Sequence, residues 1–312
     1  PLAHINLLAR NRGIPNVHIA GAVDDLELDL LARGWAPVVL FAEAPSRVVL
    51  APITGEQYDR YRALATVPMR VVTTPPVASM PYLIDLSSRP RAERASLIPM
   101  IGGKSAGMMA LIDDPAIIRP DRPHGLTVRA YVEHFAPLRA RVEAALRTPR
   151  FDVDARVRHV TLEGVETFRA RNPGTSDAAF ADGLLRDNPA GTPLGDLARN
   201  GGVRGLVERT PIAPATLAAI LSTLRTAYAD LAVTQGIRFR SSSNVEDIEG
   251  FNGAGLYESY TGFIDAAAQP RRSDREKTAE SAILRVWGSF WGFEAFEERR
   301  IERIDHLSAA MG

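Results

Sequence analysis

Cysteine is absent from the 312 residues. That removes disulfides, thiolate zinc sites, cysteine nucleophiles and iron–sulfur clusters together, and it fits a reducing interior. Charge of one sign is also missing, because 37 Lys plus Arg balance 37 Asp plus Glu. A generic polyanion binder carries a basic surplus, so nucleic acid is not expected as the main partner. No apolar run approaches the ~20 residues of a spanning helix, and the first twenty or so residues lack the layout of a signal peptide. Lysine is scarce as well: only Lys104 and Lys277 occur among the 37 basic side chains. Each lysine therefore merits inspection, since a compact ammonium and a planar guanidinium are not interchangeable at a tight site. What is present is ordinary globular composition, 46% hydrophobic and 24% charged, which argues against disorder. The length suggests about two domains. The expectation is a soluble cytoplasmic protein with no membrane partner. Because the chain opens on Pro1 rather than Met, it is expected to be a piece of a longer one.

Residues 4–12 read as a short helix stopped by Gly13 and Pro15, followed by a strand near 16–20 and a helix opened by Asp24 and Asp25. Residues 38–42 and 47–51 read as strands, 56–65 as a helix and 70–73 as a strand. From Thr74 to Arg91 the chain is rich in Pro, Ser and Thr, which marks a linker. The expected division is a first domain over 1–70, a linker over 71–94 and a second domain over 95–312. Within the second, the pattern predicts a helix near 128–147, a loop-rich middle over 172–205 and a helix over 214–235. A strand at 236–240 and a long helix over 275–304 follow, the latter with Ser273 and Glu276 at capping-box spacing.

Two segments could carry chemistry. Gly102-Gly103-Lys104-Ser105-Ala106-Gly107 invites a P-loop reading, but position 98 is Ile where that motif needs glycine. What stays is a lysine between glycines ahead of a helix start, a combination suited either to a phosphate or to a plain loop-to-helix turn. The second segment runs from Arg240-Ser241-Ser242-Ser243-Asn244-Val245-Glu246-Asp247 through Gly253-Ala254-Gly255-Leu256-Tyr257-Glu258-Ser259. It sets a guanidinium at the end of a strand, where ligand groups gather in α/β proteins, followed by hydroxyls and a glycine loop. Elsewhere no pair among His18, His124, His134 and His159 has metal-ligand spacing. Glu297-Glu298-Arg299-Arg300 reads as a solvated helix face, and His306 as a cation suited to a helix end. Trp287, Phe290, Trp291 and Phe296 read as core, with Gly288 and Gly292 admitting a close neighbour.

Arg240 to Ser259 resembles the Arg-Ser-Ser-x-x-x-Glu-Asp…Gly-x-x-x-Ser/Thr signature of the nucleotide-binding domain in the pyruvate phosphate dikinase and phosphoenolpyruvate synthase superfamily. Gly102 to Gly107 resembles that domain's opening Gly-Gly-Lys turn, and Trp287 to Arg300 its Trp-x-Ser-x-Trp helix with a terminal Arg. His4 to Pro15 resembles the segment after the phosphohistidine of the swivelling domain, with Leu2-Ala3 where the family has Thr-Ser. The three nucleotide-domain motifs stand in family order over about 200 residues, and that order is what makes the match specific.

The resemblance implies an α+β chain: the N-terminal portion of an ATP-grasp-like nucleotide domain, preceded by a partial β/β/α swivelling domain. It implies a phosphotransferase that passes a phosphoryl group from ATP through a histidine to an acceptor, as the pyruvate, water and glucan dikinases do. ATP and Mg²⁺ would be the cofactors, and a small molecule or glycan the acceptor. Lys104, Arg240, Gly255 and Ser259 would hold ATP, Arg240 would act in transfer and His4 would carry the phosphoryl group. Metal ligands are expected outside this chain, so the piece alone is expected to lack turnover. The alternative is a degenerate regulatory or interaction module that keeps the fold, which the Leu2-Ala3 replacement favours.

Overall fold

Runs of branched apolar residues make β1 (Val38–Glu43) and β2 (Arg47–Pro52) an antiparallel pair, with Val38 opposite Pro52 and Glu43 opposite Arg47. Helix α1 (Gly55–Leu64) begins where two residues cap each other. Thr54 N–H donates to Gln57 Oε1 at 2.8 Å, and Gln57 N–H donates to Thr54 Oγ1 at 3.1 Å. These elements belong to a first unit, Pro1–Met69, distinct in its internal contacts from a second, Arg70–Gly312. The computed structural model describes residues 24–26, 28, 38–43, 47–64, 69–112, 122–231, 235–246, 251, 253 and 255–312. His4, and the helix and strand expected over 4–20, lie outside the described residues.

The second unit mixes many helices with small antiparallel sheets. Residues 71–94, expected as a linker, are built into it. β3 (Leu83–Asp85) pairs antiparallel with β4 (His124–Leu126), and Met80, Ile84 and Leu86 are buried. Proline there straightens a segment that has apolar side chains to bury, so it packs instead of spanning. The expected strand near 70–73 is reduced to one parallel bridge between Arg70 and Ile304.

After β3 come α2 (Arg94–Ile101) and α3 (Gly103–Ile112), which pack on each other around Leu97, Ile101, Ala106 and Met109. The single helix expected near 128–147 is two, α4 (Val128–Phe135) and α5 (Arg139–Leu146), parted at Pro137, whose ring does not continue a helix. After the short α6 (Pro149–Val153), α7 (Ala155–Arg171) starts on an Asp154 cap and kinks at Gly164. The segment expected as loop is helical: α8 (Thr175–Asp187), α9 (Pro193–Arg199) and α10 (Gly202–Arg209). Their glycines and prolines mark the starts and ends of short helices, with Pro193 at N1 and Thr192 capping. α11 (Pro214–Ala227) again starts on proline.

β5 (Ile237–Arg240) pairs antiparallel with β6 (Ser259–Gly262), placing Arg240 opposite Ser259. The long helix expected over 275–304 is broken into α12 (Arg272–Arg275), α13 (Ala279–Ser289) and α14 (Phe293–Ile301). The cap of α13 is Thr278, accepting from Ser281 N–H at 2.9 Å, in place of the expected Ser273–Glu276 pair. Gly288 does admit a close neighbour, since a Cβ there would lie 2.4 Å from Glu208 Cγ on α10.

Trp287, Phe290, Trp291 and Phe296 are all buried in the larger core, as their spacing suggested. Arg299 is not solvated: it is fully buried, its guanidinium 3.7 Å from the Phe290 ring centroid and donating to Phe290 O at 2.7 Å. His306 is buried too. It stacks on Phe296 at 3.6 Å and accepts from Arg299 Nε, so it is a neutral acceptor and not a helix-end cation. No helix among the described residues is long and apolar enough to cross a membrane.

Candidate functional site

The lysine turn and the serine turn, far apart in sequence, meet backbone to backbone. Gly103 N–H donates to Ser243 O at 3.2 Å, and Ser105 N–H donates to Ser242 Oγ at 2.9 Å. The approach depends on Gly102, which has φ +79; a Cβ there would stand 2.4 Å from Ser242 Oγ and 2.6 Å from Ser242 C. Two of the orphan N–H groups at the start of α3 are therefore used by the protein itself. The open backbone cradle expected at this turn is closed at Gly103 and Ser105, and the ammonium of Lys104 is what the turn presents.

Lys104 Nζ pairs with Glu246 Oε1 at 2.6 Å. Glu246 is buried, accepts from Ser243 N–H at 2.9 Å through Oε2, and packs under Gly253. The Tyr257 ring lies 5.6 Å from Lys104 Nζ. Its hydroxyl takes a hydrogen bond from Arg299 Nη1 at 3.3 Å, and burial raises its pKa above the ordinary 10.0, so the phenol stays neutral. One buried carboxylate thus ties together the lysine turn, the serine turn and the glycine loop.

Arg240 ends β5 with its side chain exposed. Among the described residues it has no ion-pair or hydrogen-bond partner for its side chain. Arg238, two residues earlier on the same strand face, reaches only Thr261 Oγ1 at 3.4 Å. Lys104, Arg240 and Ser259 line one cleft of about 830 Å³. Arg122, Arg238 and His124 line it as well, and none of the described lining residues is Asp or Glu. Arg122 is ion-paired to Asp230, while His124 Nδ1 lies 2.9 Å from Arg122 O and 3.2 Å from the Tyr228 hydroxyl. The lining also includes the apolar Leu83, Leu86, Met108, Leu224 and Ile237. A cleft with both cationic and apolar lining suits an anion joined to a flat or apolar body.

Gly255 is not among the residues that line this cleft. Its φ of +81 turns the chain toward Tyr257 and Ser259, so it shapes the loop without facing the space. The sequence reading missed four lining groups. Arg238 was legible in principle, as the i−2 neighbour of Arg240 on a strand, and Tyr257 stood inside the quoted motif. Arg122 and His124 carried no signal, for His124 is placed by its pairing with Asp85 on β3 and Arg122 by its bonds to Ala227 O and Asp230. Among the described residues no cluster of three or more His, Asp or Glu could hold a metal ion. No family model matches the chain, and no curated protein matches it.

Proposed function

We propose that this chain is the ATP-binding part of a dikinase-type phosphotransferase, with an ATP-grasp-like nucleotide domain in its second unit. The observation that carries the reading is the shared cleft. Lys104 comes from one motif and Arg240 and Ser259 from another, and all three line one space whose described lining holds no Asp or Glu. The apolar lining residues would take the base. Lys104 would meet phosphate oxygens as a point charge, and Arg240 would offer its unpaired fork to the terminal phosphoryl group. By the resemblance, the phosphoryl group would pass to a histidine, His4 in this chain, and then to a small-molecule or glycan acceptor.

None of the described residues lining the cleft is an Asp or Glu that could ligate Mg²⁺. A second reading, a degenerate regulatory module, is favoured by the 2.6 Å pair between Lys104 and Glu246, which occupies the cation a nucleotide would need. Calorimetric titration with adenosine, AMP, ADP and ATP separates the two. Affinity rising with each phosphate, and falling in Lys104→Ala and Arg240→Ala, supports the ATP site. Absence of ATP binding, or affinity indifferent to phosphate number, overturns it.

A further inference from the structure

A second cavity, of about 410 Å³, opens in the same unit and shares no lining residue with the cationic cleft. Its walls are mostly apolar, including Val72, Val77, Val132 and Phe135. Arg139 is the one charged residue that lines it. Arg139 donates to Leu307 O at 3.0 Å and has no carboxylate partner among the described residues. Tyr131 also lines the cavity. It is buried, and its hydroxyl accepts from Trp291 Nε1 at 3.0 Å yet finds no acceptor for its own hydrogen among the described residues. A volume of this size suits a compact small molecule.

We propose that this cavity is an effector site for a small monocarboxylate with an apolar body, coupled to the Lys104–Glu246 turn through Asn244. The class follows from the lining. Apolar walls select the body, and a single guanidinium matches one carboxylate by its fork and balances one negative charge. A dianion would leave a charge uncompensated there, and a cation would face Arg139.

The coupling rests on what stands behind the wall. Thr74 and Ala310 line the cavity, and both are hydrogen-bonded to Asn244. Asn244 Nδ2 donates to Thr74 Oγ1 at 3.2 Å, Ala310 N–H donates to Asn244 Oδ1 at 2.8 Å, and Asn244 N–H donates to Ala310 O at 3.1 Å. The preceding residue, Ser243, accepts from Gly103 and donates to Glu246. A ligand that orders Thr74 and Ala310 therefore orders the turn that holds Lys104. Ordering done by one ligand need not be repeated by the next, which makes the effect positive. The effect on nucleotide affinity rests on the ATP reading; the cavity itself does not.

The test uses three probes with one body and different heads: 4-phenylbutyrate, 4-phenylbutan-1-ol and 4-phenylbutylamine, titrated into the whole chain. The carboxylate is expected to bind about tenfold or more tightly than the alcohol, and the amine more weakly still. Arg139→Ala should bring the carboxylate to the alcohol's affinity. Ala136→Trp, at an exposed lining position, should abolish all three while leaving the melting temperature unchanged. Equal affinity for the three heads, no binding, or binding that survives Ala136→Trp overturns the site. Amide exchange at residues 242–246 should slow when 4-phenylbutyrate binds to wild type and not when it binds to Asn244→Ala. Unchanged exchange in wild type overturns the coupling. With ATP present, the carboxylate should raise nucleotide affinity about fivefold, and ATP should raise carboxylate affinity by the same factor. If ATP binds nowhere, that failure belongs to the nucleotide reading, and the exchange experiment still decides the coupling.

Discussion

Lys104 Nζ lies 2.6 Å from Glu246 Oε1, and the two partners live in different surroundings: the lysine side chain is 42% exposed and the glutamate 2%. The exposed end is partly screened by water, whereas the buried end has surrendered its hydration and depends on the pair. The pair is therefore asymmetric. Losing the lysine strands a carboxylate, but losing the carboxylate leaves a lysine that water can serve.

Lys104→Met is expected to destabilise the second unit by about 1–3 kcal/mol, the penalty of a buried acceptor left without its cation. Glu246→Gln should cost less, and the double variant should recover part of the loss. Urea unfolding of the four proteins gives the coupling energy. Additive losses would show that the pair contributes nothing.

Gly102 and Gly107 flank the lysine on the same turn and helix but should respond oppositely to alanine. Gly102 has φ +79 and ψ 164, a region open to glycine almost alone, and a Cβ would meet the Ser242 backbone. Gly102→Ala should cost at least about 1–3 kcal/mol and pull the lysine turn away from the serine turn. Gly107 lies inside α3 with nothing within 4 Å of its would-be Cβ. Gly107→Ala should stabilise by up to about 1 kcal/mol through helix propensity. Thermal midpoints of the two variants check the contrast, and equal shifts would contradict it.

Acid should weaken the fold before its carboxylates titrate. Burial, then the charges of Arg299 and Arg300, hold the His306 pKa well below its ordinary 6.5. Burial also lowers that of His134. A base with a depressed folded pKa binds fewer protons folded than unfolded. Its contribution is thus complete above the unfolded pKa and is lost as pH falls toward the folded value. Stability should begin to drop near pH 6.5. The slope should approach about 1.4 kcal/mol per pH unit for each histidine. His306→Asn keeps an acceptor near the place of Nδ1 for Arg299 and should reduce that slope. Identical slopes for wild type and variant between about pH 6.5 and pH 5 would contradict the assignment.

Arg240 has an exposed guanidinium without a partner among the described residues, so its substitution should spare the fold. Arg240→Ala should leave the unfolding free energy within about 0.5 kcal/mol of wild type. It should also remove the affinity step between ADP and ATP, roughly tenfold to a hundredfold for a charge-assisted contact. Arg240→Lys should recover little, because a point charge does not replace a fork. An ADP-to-ATP step unchanged in Arg240→Ala would show that this arginine does not face the terminal phosphate.

Much of the local structure was legible from residue order. The β1–β2 pair, α1, the β5 strand and the aromatic core of α13 and α14 follow from apolar spacing that acts over a few residues. Errors arose where burial, a property of the whole unit, overrode local composition. Prolines over 75–90 suggested a linker, yet Leu86 is 1% exposed because the apolar residues between them found a core. Glycine and proline over 172–205 suggested loops, where they separate short packed helices. Arg299, within a run of charges, is buried because aromatic rings and a backbone carbonyl receive it.

For the candidate site, residue order alone determined the chemistry available: a lone lysine among glycines, a strand-end arginine, and serines between carboxylate and glycine loop. It determined neither their meeting nor their state. Only the tertiary structure decided that Lys104, Arg240 and Ser259 share one cleft, while Gly255 turns the loop from outside it. Only the tertiary structure paired Lys104 with a buried glutamate and used the N–H groups of Gly103 and Ser105 internally. The reason is range. Helix and strand are chosen by neighbours a few positions apart, whereas a cleft is the space left where distant segments pack, and no local pattern encodes which atoms will border it.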